Sequence, residues 1–326
     1  MSELVRTFGC FGGRVSVRVA AGGARAAAAL RRAELDLRLA HGRLTRFEPS
    51  SELSRLNADP RRAVPASALL LELASLVRWA GEVSGGLVDA TQVRALERAG
   101  YVRSRGRLAG LDGAAFAAAA GELTARAAIP DLAARWRSVA VDRERGLVLR
   151  PRGVLLDGGG LAKGLVADLL GRRLGEHAAF AVDAAGDLLL GGTAPRPRTI
   201  VVRDPFGGRP VRELRVAAGA VATSGVTQRS WLRPDGSLGH HLVDPGRREP
   251  AWTGLLQVTA LAPTAVEAEV RAKAALLAGP AGAARFLPGG GVLVHADGRA
   301  EEIPASGTAA TPSPSPLAPP SAPLAA

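Results

Sequence analysis

Val15, Val17 and Val19 alternate with polar neighbours, the period of a strand with one buried face, so residues 14–20 are predicted to be a strand. After Gly22-Gly23 the period changes. Leu30, Leu37 and Leu44 recur in an Ala/Leu/Arg stretch at helical spacing, which predicts a long helix ending near Leu44. Ser50, Ser51 and Glu52 precede Leu53 and Leu56 as a helix start requires, and a second helix is predicted over 66–84. Residues 103–135 are rich in Ala and Gly and carry little pattern. Short apolar runs at 138–141 and 147–149 suggest strands. Val154-Leu155-Leu156 then runs straight into Asp157-Gly158-Gly159-Gly160 and a helical stretch to Leu174, which predicts strand, glycine turn and helix. Further strands are expected at 180–182, 188–190, 199–203, 214–216, 256–261 and 292–295, with a helix over 265–277. No repeat period is present.

The chain has 326 residues, of which 47% are hydrophobic, enough for a sizeable core and against disorder throughout. From Pro304 to Ala326 Pro, Ser, Ala and Thr dominate and no residue is charged. A folded unit over 1–303 and a disordered tail over 304–326 are therefore expected. No apolar run reaches the roughly 18 residues that span a bilayer, and MSELVRTFG lacks the features of a signal peptide, so a cytoplasmic protein with no stable membrane insertion is the default expectation. A lone Cys10 excludes an internal disulfide framework, and no Cys/His spacing suggests zinc.

The formal charge is +12, from 42 Lys and Arg against 30 Asp and Glu. The cations are scattered singly or in pairs, and aromatic residues are 4% of the chain, so no basic stripe or stacking platform for nucleic acid is present. Arginine makes up 40 of those 42 cations, and only Lys163 and Lys273 are lysine. Asn57 and Tyr101 are likewise the single representatives of their types. Residues that persist against such a bias merit separate inspection.

Three local patterns can carry chemistry. The glycines after Asp157 let the backbone approach a ligand, and a helix start with free N–H groups suits a phosphate. Lys163 in the first turn opposes the helix dipole unless an anion is bound there. An ordinary turn with a surface lysine would use the same residues, and neither a dinucleotide GxGxxG nor a P-loop order is present. His240-His241-Leu242-Val243-Asp244 places imidazoles near a carboxylate that could orient one of them, downstream of Thr223-Ser224-Gly225. An exposed turn accounts for the same pattern, and a Ser224, His241, Asp244 hydrolase triad lacks its GxSxG elbow. Glu269 and Lys273, four apart on one helix, read as a surface ion pair unless the small alanines around them pack them inside.

Taken together and in this order, these segments resemble the ApbE family of FAD:protein FMN transferases. The family's Met-Gly-Thr strand is echoed by Phe11-Gly12-Gly13, its aromatic, Ser-Glu and Asn by Phe47, Ser51-Glu52 and Asn57, and its Asp-Pro-Thr by Asp89-Ala90-Thr91. Its Asp-x-Gly-(Gly/Ala)-x-Ala-Lys-Gly segment is similar to Asp157 through Gly164. Ala185-Gly186-Asp187, Thr223-Ser224-Gly225 and His241 through Pro245 follow, and Ala268 through Lys273 stands for an Ala-Asp-Ala-Leu-Ala-Thr helix. The likeness runs over about 8–280.

The resemblance implies a mixed α/β (α+β) fold of two interleaved subdomains with an FAD cleft between them. It implies an enzyme that, with Mg²⁺, transfers FMN from FAD to a Thr or Ser hydroxyl of a target flavoprotein and releases AMP. It places Phe11 and Phe47 beside the flavin or adenine, and Val88, Asp89, Ala90 and Thr91 along the nucleotide. Asp157, Lys163, Ser224 and Val243 would also meet FAD. Catalytic roles fall to His241, Asp244 and Lys163, with Asp244 expected to orient His241. Gly160 through its carbonyl, Glu269 and Lys273 take the metal positions. Lys273 departs from the pattern, because an ammonium donates and cannot ligate Mg²⁺. Either the ion binds with fewer protein ligands, or the ammonium assumes part of its role. An FAD pyrophosphatase and a non-catalytic flavin-binding protein remain the alternatives.

Overall fold

The computed structural model describes residues 3–20, 23–104, 110–207 and 209–306. The expected 304–326 tail lies outside the described residues from 307 onward. Ser306 still folds back, its N–H and hydroxyl donating to the Pro288 carbonyl at 3.0 and 3.1 Å.

The valine alternation builds the strand Gly13–Val19, with Val15, Val17 and Val19 fully buried. It lies second in an eight-stranded sheet whose spatial order is Leu4–Cys10, Gly13–Val19, Phe180–Ala184, Asp187–Gly191, Gly219–Gly225, Leu255–Ala262, Gly291–His295 and Ala300–Ile303. Every neighbouring pair is antiparallel. This is the mixed α+β class expected, with helices packed on an antiparallel sheet. Leu4–Cys10 and Gly219–Gly225 carry no clear alternation; the first pairs at the sheet edge with Gly13–Val19, and the second completes the ladder between Asp187–Gly191 and Leu255–Ala262.

The eight helices among the described residues are α1 (Ala24–Leu44), α2 (Glu52–Ala58), α3 (Ala68–Val83), α4 (Val93–Arg98), α5 (Gly113–Gly121), α6 (Ala162–Leu174), α7 (Ala265–Ala278) and α8 (Pro280–Ala283). In α1 the buried positions Ala26, Leu30, Ala33, Leu37, Ala40 and Leu44 step by four and three, one stripe of a 3.6-residue period. Helices α1, α6 and α7 pack on one another and on the sheet.

The period of two along the strands divides the core. Val182, Leu189, Ala220 and Ala222 face the helices. Ala181, Leu190 and Val221 face the other way and are covered by Val216 and Leu214 of the hairpin Arg198–Arg203/Pro210–Val216. A small three-stranded sheet of Ala63–Pro65, Leu147–Leu149 and Ala140–Asp142 stands apart from the large one, packed against α3.

Both predicted helices begin at a serine cap. Ser51 accepts the Ser54 N–H at 3.0 Å. Ser67, which caps α3, donates its own N–H and hydroxyl to the Glu52 carboxylate at 2.7 Å each. Two consecutive helix starts are thereby tied together.

One expected element is absent. Val154-Leu155-Leu156 is extended but joins no sheet. Its pairing is supplied by a side chain, since Asn57 accepts the Leu156 N–H and donates to the Leu156 carbonyl, both at 2.8 Å. The carboxamide reproduces the donor and acceptor of a neighbouring strand at one residue. The next N–H, that of Asp157, reaches the Ala90 carbonyl at 2.8 Å. A carboxamide offers a donor and an acceptor side by side from one side chain. Asn57→Ala should leave a backbone donor and an acceptor unpaired and lower the unfolding free energy by about 2–3 kcal/mol, read by urea denaturation. A loss below about 0.5 kcal/mol would show that the clamp does not hold this segment.

Candidate active site

The segment fixed by Asn57 enters a cavity of about 660 Å³, within the range of pockets that enclose a sizeable small molecule. A second cavity of about 70 Å³ adjoins it, and the two share Gly12, Tyr101, Asp157, Gly159, Lys163 and Arg229. Val88, Asp89, Ala90, Gly160, Ser224, His241, Val243, Glu269 and Lys273 line the large cavity, and Phe11 and Phe47 line the small one. Most of the residues singled out in the sequence thus converge, although they come from seven separate stretches of chain. Thr91 and Asp244 do not reach either wall.

Helices α6 and α7 set the polar floor. Asp168 of α6 accepts the Ala265 and Val266 N–H groups at 2.7 and 3.0 Å, which seats the start of α7 against α6. Its burial pushes the carboxyl up to about 6, against the pull of those two N–H groups. At Gly164 a Cβ would come within 2.5 Å of the Val266 backbone, so only glycine permits this approach.

Glu269, 4% exposed, then reaches back from α7 and accepts the Gly164 N–H at 3.1 Å. The anion at the α6 N-terminus is therefore the protein's own carboxylate. The expectation of a free phosphate cradle there is corrected to that extent. Lys163 is similarly engaged. Its ammonium pairs with Asp187, itself 1% exposed, and lies 3.8 Å from Glu269 Oε1. Burial would depress Lys163, but the Asp187 and Glu269 carboxylates outweigh it and hold the ammonium above its usual value. Glu269 moves upward through burial, opposed by Lys163.

Lys273 completes the group. Its Nζ donates to the Gly160 carbonyl at 2.9 Å, and a Cβ on residue 160 would come within 2.1 Å of that nitrogen. Burial pulls the ammonium below its usual value, opposed by Glu269. The exposed ion pair that the i,i+4 spacing allowed is replaced by an inward-facing cluster of two lysines and two carboxylates.

A Mg²⁺ ion does not fit the three positions implied by the resemblance. The carbonyl that would bind it already accepts from Lys273, and Lys273 itself brings a positive charge and no acceptor.

Asp157 lines both cavities. Its Oδ1 accepts from Arg46 Nε at 2.9 Å and its Oδ2 accepts the Gly159 N–H at 3.0 Å. The Arg46 side chain is 6% exposed; it donates to the Tyr101 carbonyl at 2.6 Å and lies 4.3 Å over the Phe47 ring. Phe47 and Tyr101 meet edge to face at 5.2 Å, and Tyr101 stacks on Trp231 at 5.9 Å. Asp89 accepts from the Thr91 N–H and hydroxyl at 2.8 and 2.6 Å and from Gln92 at 2.9 Å. Thr91 therefore braces Asp89 and does not line the ligand space. Across the cavity the Thr223 and Thr259 hydroxyls bond at 2.9 Å.

His240 is buried, accepts the Leu242 N–H on Nδ1 at 3.2 Å, and is pushed down to about 4 by burial. It is a neutral structural group. His241 lines the cavity, and its Nδ1 is buried without a hydrogen-bond partner among the described residues. Burial first, then the positive charges of Arg229, Lys273 and Lys163 and the neighbouring His240, drive its pKa well below the usual value. The imidazole is neutral at pH 7.

Asp244 does not orient it, contrary to expectation. Its carboxylate accepts the N–H groups of Ile129, Gly246 and Arg247 at 3.3, 3.0 and 3.0 Å and pairs with the Arg247 guanidinium. Those four donors shape the turn that carries His241 and leave nothing for the ring. Arg46, Arg229 and the pairing role of Asp187 had no sequence signal among so many arginines and aspartates. Tyr101 had only its scarcity, and Asn57 its scarcity and its place in the family pattern.

A family model for the ApbE family matches residues 11–292. The FAD:protein FMN transferase of Treponema pallidum is 32% identical over 155 residues, a stretch that is 43% of this chain and 42% of that protein, so the chain matches less than half the length of this relative. Among solved structures, the ApbE protein of Thermotoga maritima superposes with a TM-score of 0.75 at 23% identity, covering 92% of this chain and 97% of that one. The flavin transferase ApbE of Vibrio cholerae gives a TM-score of 0.70 at 17% identity over 94% and 97% of the two chains. The apo flavinyl transferase ApbE of Pseudomonas stutzeri gives 0.69 at 20% identity over 93% and 95%.

Proposed function

The chain belongs to the ApbE family, and from that premise we propose that it is an FAD:protein FMN transferase. The observation that carries the reading is the 660 Å³ cavity that gathers a neutral His241 with Lys163, Lys273 and Arg229. A dinucleotide with an anionic diphosphate has the size and charge for that space.

The acceptor is a Thr or Ser hydroxyl of a target flavoprotein. Its oxygen forms a new bond to the phosphorus on the FMN side, the bond to the bridging oxygen of the diphosphate breaks, and AMP leaves with the electron pair. The hydroxyl proton passes to the His241 imidazole, which is neutral and able to accept it. The lysine and arginine charges offset the charge that accumulates as AMP departs. No step runs through a divalent cation, since the Gly160 carbonyl accepts from Lys273. Phe11 and Phe47 border a ring of the substrate in the smaller cavity, and Val88, Asp89, Ala90, Ser224 and Val243 flank it in the larger.

Among the described residues no helix is long and apolar enough to cross a membrane. The acceptor is met as a protein domain docking at the cavity mouth.

The test mixes the purified protein, FAD and a candidate FMN-binding domain, and looks by mass spectrometry for an FMN adduct on the domain and for AMP. Both are expected, in equal amounts. AMP and free FMN without an adduct would make the protein an FAD pyrophosphatase, and bound FAD that stays intact would make it a flavin carrier.

A further inference from the structure

We propose that the Lys273 ammonium is a built-in replacement for a divalent cation, so that this site binds the diphosphate of its substrate without metal. The inference rests on the flavin reading for the identity of the ligand, but not for its geometry. The Gly160 carbonyl, the backbone oxygen at the implied metal position, accepts from Lys273 Nζ at 2.9 Å. The bare backbone of residue 160 is what admits the ammonium, since a Cβ there would come within 2.1 Å of Nζ. The second oxygen donor is also committed. Glu269 accepts the Gly164 N–H on Oε2 at 3.1 Å and faces Lys163 from Oε1 at 3.8 Å, while Asp187 is paired with the same lysine.

The cluster therefore holds two ammonium and two carboxylate groups and is charge-balanced with nothing added. A divalent ion inserted here would have to displace one hydrogen-bonded ammonium and lie beside another. An ammonium has three N–H groups. Lys273 gives one to Gly160 and makes no other hydrogen bond among the described residues, yet its side chain lines the large cavity. Two donors are thus left for oxygens of a bound diphosphate, the task a bridging cation would otherwise perform.

Two measurements test this. The first titrates Mn²⁺ into the protein alone and follows free ion by electron paramagnetic resonance. The wild type should show no stoichiometric site, while Lys273→Thr, which removes the ammonium and adds a hydroxyl oxygen, should gain one. The second measures FAD affinity in EDTA and in Mg²⁺. Wild-type affinity should agree within twofold between the two buffers. Lys273→Thr should lose more than tenfold in EDTA and recover with Mg²⁺, and Lys273→Arg should stay independent of metal. One Mn²⁺ bound tightly by the wild type, or a tenfold loss of its FAD affinity in EDTA, overturns the proposal even if neither variant folds. Absence of FAD binding in both buffers would instead sink the flavin reading, and the Mn²⁺ titration would still decide the role of Lys273.

Discussion

His241→Gln should slow FMN transfer by about 10²–10⁴-fold, the usual contribution of a positioned acid or base, while FAD affinity stays within about threefold. Glutamine keeps much of the side chain's size and polarity but cannot take a proton at neutral pH. Two observations single out this residue. Its ring lines the cavity, and its Nδ1 is buried without a hydrogen-bond partner among the described residues. The pH profile supplies an independent signature. A base must be unprotonated, so the rate rises with pH through the imidazole pKa and then levels. Burial and the nearby Arg229, Lys273 and Lys163 place that pKa well below 6.5. The wild-type single-turnover rate should therefore be flat from pH 8 down past 6.5 and fall only in more acid solution, and the variant should lack that limb. Transfer by His241→Gln at the normal rate would end the assignment, as would a wild-type limb centred above pH 7.

Asp187→Ala should lower the unfolding free energy at pH 7 by about 3–5 kcal/mol, the largest stability loss expected for a single substitution in this site. Asp187 is 1% exposed and pairs directly with the Lys163 ammonium. Without it, Lys163 keeps only Glu269, 3.8 Å from Oε1, and a buried ammonium is left short of compensation. Adding Lys163→Met to Asp187→Ala removes the stranded charge and should restore more than half of the loss, because an apolar chain of similar length tolerates the same surroundings. Urea denaturation of the wild type, both single variants and the double variant gives the coupling between the two positions. A loss below about 1 kcal/mol for Asp187→Ala would show that water reaches the pair and screens it. Asp187 stands in the Ala185-Gly186-Asp187 echo of a family pattern, but the sequence offers no reason to pair it with a lysine 24 positions earlier. The antiparallel turn between Phe180–Ala184 and Asp187–Gly191 brings it to the start of α6.

Patterns within about fifteen residues were legible in the chain alone. The valine alternation at 15–19, the four-and-three stripe of α1, the Ser51 cap and the run of glycines after Asp157 each report a local backbone preference or one face of one element. The order of the motifs then identified the family, and the two lysines left in an arginine-rich chain both line the large cavity. What the sequence alone determined was therefore element type, approximate boundaries and the set of residues worth suspecting.

Pairing was decided by tertiary structure. Whether Val154–Leu156 becomes a strand depends on what lies beside it, and what lies beside it is one carboxamide from α2. Whether the start of α6 faces a ligand or a protein carboxylate depends on how closely α7 approaches Gly164. Whether Asp244 serves His241 depends on which donors its own turn has already supplied. Lys273 and Gly160 are 113 residues apart, and nothing local to either indicates that the ammonium of one meets the carbonyl of the other. Hydrogen bonds and ion pairs are short-ranged and saturable, so their partners are chosen only after the chain has folded, whereas periodicity is read along the chain before it folds.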